Sequence, residues 1–97
     1  MQALRNAPAP GAVLAERERI RALLLRREPG LRGRIMTGPS GSLSIPSPRG
    51  GIEIGRMRRS GEAQWVVVSS TGEHPSVQVA ISGADAARLA LSAYRRR

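Results

Sequence analysis

Gln64-Trp65-Val66-Val67-Val68-Ser69-Ser70 is the stretch whose reading decides the fold. A tryptophan followed by three valines favours a pleated backbone over a helix, because β-branched side chains pack well on a sheet surface. Period two sends Trp65, Val67 and Ser69 to one side and Val66 and Val68 to the other. Downstream, Val77, Val79 and Ile81 alternate with Gln78 and Ala80, which predicts a second, half-buried strand. Upstream, Gly51-Ile52-Glu53-Ile54-Gly55 and Ser42-Leu43-Ser44-Ile45 alternate in the same way, and Arg34-Ile35-Met36-Thr37 fits a short strand. The connections Arg58-Arg59-Ser60-Gly61-Glu62 and Ser70-Thr71-Gly72-Glu73-His74-Pro75 carry the residues of hairpin turns. The region therefore reads as an antiparallel meander of three to five strands.

Both sides of the meander read as helix. Residues 12–28 hold good helix formers and end at Pro29-Gly30. Val13, Ile20, Leu23, Leu24 and Arg27 share one side, with Leu14 and Leu25 at its margins. Arg17, Arg19, Arg21 and Arg26 take much of the rest. Glu16 and Glu18 in the first half and Arg26-Arg27 in the last turn suit the helix dipole. Over residues 82–97, Ser82 and Asp85 have capping-box spacing, with Asp in place of the usual Glu. Ala84, Ala87, Leu91 and Tyr94 line one side of this helix and Ala86, Leu89, Ala90 and Ala93 another, interrupted only by Arg88 and Ser92. The predicted class is α+β: an N-terminal helix, the meander, and a C-terminal helix packed on the sheet, with both helices able to cover one sheet face. Residues 1–10 read as a flexible Pro/Ala tail and residues 11–97 as a single small domain.

The charge is the loudest compositional feature. Sixteen basic residues face seven acidic ones, for a net charge of +9, and every basic residue is Arg. A G+C-rich genome would explain Arg in place of Lys, since Arg, Ala, Gly and Pro share such codons, but not the low acidic count. Polyanion binding is the commonest reason for such an excess, and the planar guanidinium matches two phosphate or carboxylate oxygens at once. No cysteine is present, so stability comes from packing within the chain, against a partner, or against a second copy as a homo-oligomer. No run has the length of a membrane span, and the first ten residues lack the apolar stretch of a secretory signal. The expected setting is the cytoplasm of a bacterium or of a phage-infected host.

Catalytic signals are thin. His74 is the only histidine and sits in a predicted turn beside Pro75. Glu53, Glu62 and Glu73 have no spacing that pairs carboxylates. Thr37-Gly38-Pro39-Ser40-Gly41-Ser42 looks Gly-rich but lacks the Lys-Ser/Thr pair and following helix of a phosphate-cradling loop. The chain is therefore read as a non-enzymatic binding protein with no catalytic residue, cofactor or metal site.

Three arginine groups are candidates for contact: the first-helix residues with Arg32 and Arg34 behind them, Arg56, Arg58 and Arg59 around a hairpin turn, and Arg95-Arg96-Arg97 at the end. The residues chosen for binding nucleic acid or an acidic partner are Arg17, Arg21, Arg49, Arg56, Arg58 and Arg59; Arg49 lies in the pliable stretch Ser47-Pro48-Arg49-Gly50-Gly51. With Trp65, Tyr94 and no Phe, the chain lacks a stacking platform for single strands, so a duplex contacted through its phosphates is the favoured nucleic acid. The alternative is a protein-binding or structural protein, such as a phage-encoded inhibitor or virion component, that docks on an acidic protein surface. In that case the apolar side of residues 84–94 or the first helix would form the interface.

The order of helix, β-meander and helix is similar to the double-stranded RNA-binding domain over about residues 12–94, and the Ala-rich last helix is similar in texture. The likeness is one of topology and assigns no membership. Where that family places a basic cluster, at the start of its last helix, this chain has Ser82-Gly83-Ala84-Asp85. A β-hairpin followed by an Ala/Leu-rich helix is also similar to small actinobacterial and actinophage proteins, a likeness that implies no function.

Overall fold

The computed structural model describes residues 10–38, 41–47, 50–70 and 75–96. The tail over residues 1–9, Arg49, His74, Arg97 and most of the predicted turn before the last strand lie outside the described residues. Helix α1 spans Pro10–Arg27 and is followed by a 3-10 turn at Pro29–Leu31. Five strands follow: β1 Met36–Thr37, β2 Leu43–Ile45, β3 Ile52–Arg59, β4 Glu62–Ser69 and β5 Ser76–Ala80. Helix α2, Gly83–Arg96, closes the order. The strands form one antiparallel sheet in sequence order, β1-β2-β3-β4-β5. The α+β class and the packing of the C-terminal helix on the sheet are as the sequence predicts.

Register settles which side of each strand faces inward. Ile54 lies opposite Leu43 and Val67, and Trp65 opposite Arg56 and Ala80, so these residues share one face. On it the side chains of Leu43, Ile45, Ile52, Ile54, Trp65 and Val67 are buried beneath α2, together with Ile20 and Leu24 of α1 and Leu31 of the 3-10 turn. Helix α2 crosses β3, β4 and β5, while α1 packs along α2. The alanines of α2 permit that double contact: Ala86, Ala87, Ala90 and Ala93 are all buried. The apolar sides of residues 84–94 are therefore spent inside the domain, Ala84 excepted, which removes them as the expected protein-docking interface. The α1–α2 approach is tight at Gly83, where an added Cβ would lie 3.3 Å from both Glu16 Cγ and Ile20 Cγ1.

Two local readings are corrected. The β3–β4 hairpin is longer than predicted, since pairing continues to Arg59 opposite Glu62 and leaves a two-residue turn, Ser60-Gly61. Both turn residues have positive φ, 51° and 81°, the geometry whose twist matches the flanking strands. The alternation of Val77, Val79 and Ile81 with Gln78 and Ala80 predicts a half-buried β5. Instead these valines lie opposite Val68 and Val66 on the outer face and stay exposed, and Ala80 is the β5 residue that enters the core. Alternation alone cannot say which face of an edge strand meets the helix, and the small Ala80 is what fits beside Trp65 under α2.

Candidate nucleic-acid interface

The hairpin end holds Arg56, Arg58 and Arg59. Arg56 follows Ile54 on the inward face of β3 and is held from three sides. Its Nη1 donates to Glu16 Oε1 at 3.2 Å, its Nη2 donates to the Ala63 carbonyl at 3.2 Å, and its guanidinium carbon lies 5.3 Å from the centre of the Trp65 ring. Glu16 also accepts the Trp65 indole N–H. This cluster ties the start of α1 to the hairpin and uses Arg56 as a structural cation. Arg58 is exposed and donates to the Gly61 carbonyl at 3.0 Å. Arg59 ends β3, with its backbone paired to Glu62. Arg17 and Arg56 come together at a cleft of about 330 Å³, whose walls include Val13, Leu14, Glu53, Met57, Trp65 and Val66.

Arg17 and Arg21 lie on the flank of α1 that faces β1. Both pair with Glu18, at 3.0 and 3.1 Å, and Arg21 Nη2 donates to Thr37 Oγ1 at 2.6 Å. The Arg17 hydrogen bond, with the nearby Arg21 charge, holds the Glu18 carboxyl below its ordinary range. The Gly-rich turn between β1 and β2 closes on itself: the Gly38 N–H donates to the Ser42 carbonyl and the Gly41 N–H to the Gly38 carbonyl. Those two amides are thus engaged within the turn and do not point at a phosphate.

The third place is the end of the molecule where both helices finish. Gly83 at the start of α2 touches Glu16 and Ile20, and Arg95 near its end reaches Glu28 at 3.9 Å, so α1 and α2 run parallel and end together. Arg26, Arg27, Arg32 and Arg34 are all exposed there, and among the described residues none has a side-chain hydrogen bond or ion pair. Two helix C-termini contribute partial negative charge to the same end, which these cations offset. Glu28 is the acidic side chain at this pole, already paired with Arg95. Glu16 marks the hairpin end and Glu28 this one. Twelve helical rises set them about 18 Å apart, so the hairpin and the helix ends do not converge.

Of the residues chosen from sequence, Arg17, Arg21 and Arg56 are engaged in internal pairs, Arg58 is surface-exposed, and the side chains of Arg49 and Arg59 lie outside the described set. The cations at the helix pole belong to the first-helix group of the sequence and fall outside the predicted contact set. For Arg32 and Arg34 the sequence carries a signal: no acidic residue occurs between Glu28 and Glu53. Among the described residues, no three His, Asp or Glu side chains are grouped so as to hold a metal ion. No described helix is long and apolar enough to cross a membrane. No protein-family model matches the chain, and no characterised protein or solved structure is significantly similar to it.

Proposed function

We propose that this domain is a non-enzymatic binding module that contacts nucleic-acid phosphates, in a cytoplasmic setting, through the arginine pole where its helices end. The observation that carries this reading is the exposed set Arg26, Arg27, Arg32 and Arg34, which has no ion pair or side-chain hydrogen bond among the described residues and lies at the end where Arg95 meets Glu28. Unpaired guanidiniums held on a short, folded segment lose little by leaving their present surroundings and match phosphate oxygens in pairs. Arg17, Arg21 and Arg58 form a second rank, because each must exchange an existing partner for a phosphate. A duplex fits better than a single strand: Trp65 is buried under Arg56 and Tyr94 is half-buried, which leaves no stacking surface among the described residues. Contacts confined to phosphates give affinity with little sequence choice.

The test is binding of the purified chain to labelled duplex DNA, duplex RNA and single-stranded DNA across a salt series. Neutralising four phosphates predicts a slope of about −4 in log K against log salt on duplex DNA. Absence of binding to all three at low salt would overturn the reading and favour an acidic protein surface as the partner of the same pole.

A further inference from the structure

The two edges of the sheet are built differently. Edge β1 is two residues long and is preceded by Arg32 and Arg34, so it is short and has charge close before it. Edge β5, Ser76-Val77-Gln78-Val79-Ala80, pairs with β4 without a bulge and contains neither proline nor a charged residue. Folded proteins normally blunt such an edge with charge, proline or a bulge, because its outward N–H and C=O groups template another strand. Four of its five residues are exposed, Val77 at 52% and Val79 at 37%, and Ile81 just beyond it stands 92% exposed.

We propose that β5 pairs antiparallel with β5 of a second copy of this chain, about a two-fold axis through Gln78, to join the two sheets. The strand is self-complementary about that residue. Ser76 meets Ala80 of the other copy, Val77 meets Val79, and Gln78 meets Gln78. Val77 and Val79 are exposed on the outer face, so pairing brings these valines of the two copies into one apolar surface. Charge selects the same edge. A chain of net charge +9 resists its own copy, yet between Glu62 and Asp85 the sequence carries one acidic residue, Glu73, and no arginine. The β4–β5 side is therefore where two copies approach with least repulsion. A five-residue ladder is only about 17 Å long, which places the interface in the small, weak class and makes the dimer concentration-dependent. The proposal is independent of nucleic-acid binding, and salt separates the two: screening strengthens the dimer and weakens phosphate contact.

Sedimentation equilibrium of the full chain, from low micromolar to near-millimolar concentration and at two salt levels, tests it. A monomer–dimer equilibrium that tightens with salt is expected. Gln78→Lys and Gln78→Glu each set like charges face to face on the axis and should be monomeric where the unsubstituted chain is dimeric, whereas their equimolar mixture should recover the dimer. A chain monomeric throughout, or a Gln78→Lys variant that associates as the original does, would overturn the proposal. Amide hydrogen exchange on the unsubstituted chain gives a second reading that requires no variant. Protection in β5 should rise with concentration while β1 stays constant, and equal behaviour of the two edges contradicts the pairing.

Discussion

Glu16 does more for the architecture than its exposure suggests. It accepts from both the Trp65 indole and Arg56, joining α1 to the β3–β4 hairpin. In the sequence it reads as a charge that tempers a basic helix, because the acceptor role depends on a tryptophan far along the chain. Glu16→Ala leaves two part-buried donors without an acceptor and should cost about 1–3 kcal/mol, with a shift in Trp65 emission. Glu16→Gln keeps one acceptor and should cost less. Asp85 is the opposite case, legible from its spacing to Ser82. The Asp85 N–H donates to Ser82 Oγ at 3.0 Å, and the Asp85 carboxylate returns the contact at the Ile81 N–H, one residue before the expected position. That backbone hydrogen bond, and then Arg88, hold the Asp85 carboxyl below its ordinary 3.8. A depressed folded-state value stabilises the fold above the unfolded value and is lost as pH falls through the folded one. Stability should therefore decline on acidification below about pH 4, and Asp85→Asn should flatten that part of the urea-midpoint profile.

The hairpin Ile52–Ser69 was legible as two strands and a turn, but not in its length. Arg56, Arg58 and Arg59 look like loop residues because polar side chains break the apolar alternation. In the fold they continue β3, since Arg56 satisfies its charge against Glu16 and Arg58 is exposed to solvent. The turn itself carries strain at Ser60, whose φ of 51° is a region that asparagine and glycine adopt more readily. Ser60→Asn should raise stability by about 0.5 kcal/mol and Ser60→Val should lower it by about 1–2 kcal/mol. Urea unfolding followed by Trp65 fluorescence measures both. Strand β5 was legible as a strand, but its inward face was not, because its valines mark the apolar side of an edge that α2 leaves uncovered.

At the scale of the whole molecule, helix order and sheet order could be read from periodicity, whereas the placement of charge could not. Parallel helices bring residues 26–34 and the end of α2 to one pole, and only the tertiary structure makes neighbours of Arg95 and Glu28. The hairpin arginines, drawn to attention by their density in sequence, lie at the other end. If the helix-pole arginines hold phosphate and Arg56 holds the fold, the salt dependence of duplex binding separates Arg32→Glu with Arg34→Glu from Arg58→Glu. The double variant should remain folded, bind far more weakly and lose about two from the magnitude of the salt slope, while Arg58→Glu should change the slope by less than one. Equal slopes for the double variant and the original chain, or a larger loss from Arg58→Glu, would contradict that assignment of roles.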